Sequence, residues 1–176
     1  MKTSKILESM EQLTKHYEEE LSPLSMEQLT RQPSEQEWSL GQMVQHLINS
    51  ALFMQLRNAE RCIMADEGTV TAGEKTEPGK AIFELGGFPP ARIQVAPSPQ
   101  YTPGQPESKE QLIGGLNKVL VRMKELAPAL DGAPEGVQAA HPRLGALNAR
   151  EWFELVEMHY RHHLMQKDRL IKELQR

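Results

Sequence analysis

Asn148-Ala149-Arg150-Glu151-Trp152-Phe153-Glu154-Leu155-Val156-Glu157-Met158-His159-Tyr160-Arg161-His162-His163 is the stretch that decides the fold. Asn148 followed by Glu151 makes a capping box, the signature of a helix start. No Pro or Gly follows before Leu174, so the pattern predicts one helix from about Ala149 to Leu174. Each helical residue turns by about 100°. With His159 at zero, Trp152 and Leu170 fall at about +20°, His163 at about +40°, Val156 at about +60° and Leu155 at about −40°. The helix has one apolar stripe, and His159 and His163 sit inside it. His162, at about −60°, falls at its edge. A helix with one apolar face must bury it against other elements.

Three further helices meet that need. Residues 4–21 carry Ile6, Leu7, Met10, Leu13 and Tyr17 at steps of three and four. Ser39 with Gln42 is a second capping box and opens a helix running to about Met64. Ser108 with Gln111 opens another, whose stripe of Leu112, Leu116, Val119, Leu120, Met123 and Leu126 ends at Pro128. Residues 22–38 read as a connection with one short turn, and residues 128–147 as another connection. Residues 65–107 hold seven of the 12 prolines and six of the 12 glycines, yet Ile82, Phe83, Leu85, Phe88, Ile93 and Val95 call for burial. An ordered crossover packed over one end of the helices is expected there. No stretch reads as a paired strand. The expected fold is all-α: a four-helix bundle with a long ordered crossover between its second and third helices, one domain over residues 1–176.

Bulk composition narrows the function. The chain has 176 residues, net charge −4, and 25% charged residues. Mild acidity argues against nucleic acid as a partner, which needs clustered Lys and Arg. No apolar run is long enough to span a membrane, and the first residues lack the apolar segment of a signal peptide. Cys62 stands alone, so no intrachain disulfide forms. A cytoplasmic protein is expected.

Side chains at i and i+4 on a helix lie one above the other, so His159 and His163 can approach one transition ion from one side. Two imidazoles in an apolar stripe also carry a desolvation cost unless something binds them. Two readings stay open on residues alone: a metal-binding pair, or core-edge histidines bonded to nearby carbonyls and carboxylates. His46 lies about 100° from the centre of its own helix's apolar stripe, on a face with Ser50, Phe53 and Arg57. Taken alone it reads as a border residue. His16, beside Tyr17, is expected to be partly exposed, and His141 opens the loop before the last helix. The H-E-x-x-H pattern, phosphate-binding and dinucleotide-binding glycine loops, and the G-x-S-x-G elbow are all absent.

Trp38-Ser39-Leu40-Gly41-Gln42-Met43-Val44-Gln45-His46-Leu47 resembles the entry to the second helix of the DinB-like (YfiT-type) superfamily. His141 to Trp152, followed by His159-Tyr160-Arg161-His162-His163-Leu164-Met165-Gln166, resembles the end of the fourth helix in one of its branches. The resemblance covers essentially the whole chain. It implies that His46, His159 and His163 match the superfamily's three metal ligands. It implies a divalent ion, nickel or zinc first and iron next, and thiol-dependent transfer or isomerisation. A divalent-metal-dependent enzyme is therefore expected, a thiol S-transferase acting with a low-molecular-weight thiol or a related, hydrolase-like activity of metal-bound water or thiolate. Gln42, Asn49 and His162 are candidates to touch the ligands or the substrate. The alternative is a non-catalytic, homodimeric, stress-related bundle with structural histidines.

Overall fold

A computed structural model describes residues 1–91 and 101–176. The expectations for Ile93, Val95, Pro97 and Pro99 lie outside the described residues. The chain is mostly helical, with one small antiparallel sheet. Helix α1 spans Thr3–Leu21, and the short α2 spans Met26–Thr30. Helix α3 (Leu40–Ser50) runs through a π-helical turn (Ala51–Gln55) into α4 (Leu56–Met64). Strand β1 is Val70–Thr71, and α5 is Glu77–Leu85. Helix α6 is Lys109–Leu130, strands β2 and β3 are Val137–His141 and Gly145–Asn148, α7 is Ala149–His162, and α8 is Leu164–Leu174.

The capping boxes at Ser39 and Asn148 form as the sequence predicts, and Ser108 caps α6. Each cap oxygen accepts the backbone N–H of the third helical residue, satisfying a donor that has no partner inside the helix. Two further caps are present: Ser25 and Gln28 form the same box and turn residues 26–30 into α2, and Thr76 accepts the Gly79 N–H at the start of α5. Helix α2 lies against α3, and Gly41 makes the approach close. A Cβ at Gly41 would meet the Leu29 carbonyl oxygen at 2.8 Å and the Pro106 ring at 2.6 Å.

Helix α1 packs on α6 and α7, and the α3–α4 rod packs on both as well. Met10, Leu13, Tyr17, Met43, Leu47, Leu116, Val119, Met123, Trp152, Phe153 and Val156 are buried between them. The Tyr17 hydroxyl donates to the Tyr160 carbonyl at 2.8 Å, pinning α1 to α7. Lys167 of α8 is buried, and its ammonium meets His16 Nε2 of α1 at 2.6 Å and the Asp168 carboxylate at 2.7 Å. His16 itself is partly exposed, as expected.

The all-α expectation needs one correction. Residues 128–147 are not a plain connection: β2 and β3 form a hairpin in register Gln138↔Asn148 to His141↔Gly145, and β1 joins β2 antiparallel. Helix α6 also runs past Pro128 to Leu130. The hairpin turn depends on Gly145, whose φ of 83° suits glycine and whose missing Cβ would meet the Glu74 carbonyl oxygen at 2.6 Å. His141 Nδ1 accepts the backbone N–H groups of Arg143 and Leu144 at 3.0 and 3.1 Å, closing the turn. The Trp152 indole donates to the Ala139 carbonyl at 3.2 Å and seats the sheet on α7. The expected single last helix is also modified, since it loosens at His163 (φ −85°, ψ −1°) between α7 and α8.

Candidate metal centre

His46 faces α7 from the middle of α3. Its Nε2 lies 3.0 Å from Nε2 of His159. His163 Nε2, one turn beyond, lies 3.1 Å from the same atom. One ring nitrogen from each of the three falls within 4.8 Å of both others, and all three residues are partly exposed. Periodicity alone left His46 at a border. The α3–α7 contact turns that border toward His159.

Hydrogen bonding alone satisfies this cluster poorly. A neutral imidazole has one N–H and one lone pair. His159 Nε2 faces two nitrogens at bonding distance, and it can donate to one or accept from one, not both. A cation accepting all three lone pairs removes the conflict. Separations of 3.0 and 3.1 Å are short enough for His46, His159 and His163 to share one ion at the usual metal–nitrogen distance of about 2.0–2.1 Å. The donor set therefore fits a divalent transition ion held from one side.

The electrostatics point the same way. Burial first, then the neighbouring His163, pulls the His46 pKa down to about 4. Burial brings His163 to about 4 against the opposing bond to Gln166. His159 is drawn well below the ordinary histidine value by burial, then by His163 and His46. All three rings are neutral near pH 7, the form in which a nitrogen lone pair is free to ligate.

Each ring's outer nitrogen has a neighbour. His163 Nδ1 is 2.7 Å from Gln166 Oε1, His46 Nδ1 is 3.4 Å from Ser50 Oγ, and His159 Nδ1 is 3.5 Å from the Gln55 amide. Groups of this kind fix the tautomer and aim the ring of a ligating histidine. Sequence reading missed Gln55 and Gln166 in this role. Gln166 sits three residues after His163, a spacing that could have flagged it.

The three candidates for outer contacts fare differently. His162 adjoins the cluster, its ring centroid 5.3 Å from that of His163 and 4.9 Å from Phe88, and burial lowers its pKa. Gln42 completes the Ser39 capping box and donates to the Pro103 carbonyl at 2.9 Å. It therefore ties the end of the crossover to α3 rather than serving the rings. Asn49 accepts a hydrogen bond from Gln45 at 2.9 Å.

Aromatic walls flank the cluster. The Trp38 ring lies 5.1 Å from His46, and Phe88 lies 6.4 Å from His159. Phe88 comes from the crossover, which Arg161 holds down. The Arg161 guanidinium bonds the buried Glu157 carboxylate through Nε at 2.7 Å and Nη2 at 2.9 Å, and Nη2 also donates to the Gly86 carbonyl at 2.6 Å. A cleft of about 130 Å³, lined by Phe88, Pro90, Met158, Arg161, His162 and Met165, opens beside His162. A larger cleft of about 520 Å³ between α2 and the end of α8 contains none of the three histidines.

A model of the DinB superfamily matches residues 9–166. The chain belongs to the DinB superfamily. Comparison with curated proteins and with solved structures gives no match. DinB-like proteins are often metal-binding, and this member carries three histidines close enough to hold an ion. Among its described residues no helix is long and apolar enough to cross a membrane.

Proposed function

We propose that this DinB-superfamily protein is a divalent-metal-dependent enzyme of the S-transferase type, a four-helix bundle whose site is His46, His159 and His163. The observation that carries the reading is the convergence of three neutral Nε2 atoms, with Nε2–Nε2 distances of 3.0 and 3.1 Å about His159. Nickel and zinc suit such a set, with iron next. When bound, the ion supplies Lewis acidity that lowers the pKa of a thiol.

The chain's own residues do the rest. Ser50, Gln55 and Gln166 hold the outer ring nitrogens. Trp38 and Phe88 shield the rings from water on two sides. The cleft beside His162 seats the body of a small thiol or of its acceptor against Phe88, Pro90, Met158 and Met165. His162, neutral near pH 7, accepts the thiol proton as the substrate enters.

Elemental analysis of untagged protein tests the reading, with His163→Ala as the control. About one ion per wild-type chain and a strong loss in the variant support it. Equal metal content in both removes His163 from the site. A panel of low-molecular-weight thiols with an electrophilic dye then tests the chemistry. Turnover that survives a chelator overturns it.

A further inference from the structure

Gln55 is buried, at 2% exposure, within the core-facing side of the α3–α4 rod. An amide in that setting needs partners, because a methionine or leucine would be easier to bury. Its Oε1 has none, and its Nε2 lies 3.5 Å from His159 Nδ1. The orientation has a chemical consequence. An N–H pointing at Nδ1 requires a lone pair there, which places the proton of His159 on Nε2. Nε2 is the atom that meets His46 and His163, so the proton would sit where all three lone pairs converge. A half-turn of the amide reverses this. Oε1 then faces Nδ1, accepts its proton, and leaves the Nε2 lone pair free. The two ends of an amide are nearly the same size, so the half-turn needs no repacking.

The backbone explains why a glutamine nine residues after His46 can serve it. On an uninterrupted α-helix, Gln55 would lie about 180° from His46. The Leu56 N–H instead bonds the Ala51 carbonyl, five residues back. One inserted residue in a helix shifts the phase by about 100°, which returns Gln55 to within about 80° of His46. Phe53 is left on the outside, 69% exposed.

We infer that Gln55 is a positioning residue for His159: its amide oxygen accepts the Nδ1 proton and thereby commits Nε2 to the metal. This rests on the metal reading above. The test uses full-length, untagged, ¹⁵N-labelled protein, with zinc as the probe. The variants are Gln55→Met, which keeps the length and removes the acceptor, and Gln55→Glu, which keeps an acceptor in place. Zinc affinity is measured by calorimetry, and the His159 Nδ1 proton is followed by NMR in the zinc-loaded chain. Gln55→Met is expected to weaken zinc binding by roughly 10–100-fold. It should also erase the protected Nδ1 proton signal, while Gln55→Glu retains both. Gln55→Met protein that matches wild type in affinity and in the Nδ1 signal overturns the inference and leaves the metal site standing. Gln55→Glu protein as weak as Gln55→Met also overturns it. Wild-type protein that takes no zinc removes the metal reading itself, and this inference with it.

Discussion

His46 and His159 are 113 residues apart in the chain, and their Nε2 atoms are 3.0 Å apart. Two helices, α3 and α7, close that gap. Removing either ring should therefore damage the same property without unfolding the protein. His46→Ala and His159→Ala are expected to lose zinc affinity by more than the roughly 10–100-fold that an outer contact contributes. Metal-free thermal stability should hold or rise for His46→Ala, since a partly exposed polar ring is removed. Calorimetric titration and thermal melts check the two halves. A fall in zinc affinity of less than tenfold for either variant would refute the shared site.

Bound metal should stabilise the fold. A ligand that binds only the native state, at about a hundred times its Kd, adds about 2.7 kcal/mol. For a chain of this length that corresponds to a rise of about 5–11 °C in Tm. The rise should vanish on adding a chelator and be absent in His163→Ala. Scanning calorimetry with and without zinc measures it.

Acid should act on four histidines together. His46, His141 and His163 have folded pKa values near 4, and His159 lies well below the ordinary value, mainly through burial. In the unfolded chain each titrates near 6.5. Below that pH the unfolded state binds more protons than the folded one, so stability falls as pH drops from about 6.5 toward 4. Above about 7 these residues should leave Tm flat. If the three rings hold zinc as proposed, proton competition should set in near pH 4–5 rather than near 6.5, because burial keeps the rings neutral. Melts and zinc titrations between pH 4 and 8 test both statements. Zinc binding that is half lost by pH 6.5 would contradict the second.

The crossover hangs on one carboxylate. Glu157 accepts from Ser9 Oγ at 2.7 Å and from Arg161, and Arg161 donates to the Gly86 carbonyl. Glu157→Gln keeps the shape and removes the charge. It should cost about 1–3 kcal/mol, the range for disturbing buried hydrogen bonds to a charged group. It should also speed protease cleavage around residues 86–91. Zinc affinity should change little, because neither Glu157 nor Arg161 touches the three rings. Denaturant melts and limited proteolysis separate these outcomes from general unfolding, which would speed cleavage everywhere.

Long capped stripes made most of the fold legible. Helices α1, α3, α6 and α7 stand where apolar spacing and the Ser39, Ser108 and Asn148 caps predict them. The sheet was hidden because its strands are two, five and four residues long and β2 has only Val137 as a β-branched residue, followed by Gln138, Ala139 and Ala140. His159 and His163 were legible because one helix carries both. His46 was legible only through a resemblance, since periodicity cannot orient one helix against another. Gln55 was illegible for a sharper reason. The π-helical turn breaks the 100° count between His46 and the residues beyond Ala51, so a simple helical wheel places Gln55 opposite His46. Past the turn, Leu56, Ala59 and Cys62 face the core.

His163 closes α7 and precedes α8, at the point where the rod loosens. Its imidazole is thus mounted on a joint. The eleven residues of α8 start directly after that ring, among them Lys167, whose ammonium meets His16 of α1. Because Gln166 in the first turn of α8 also holds the His163 ring, a probe placed further along α8 is expected to respond when zinc is added.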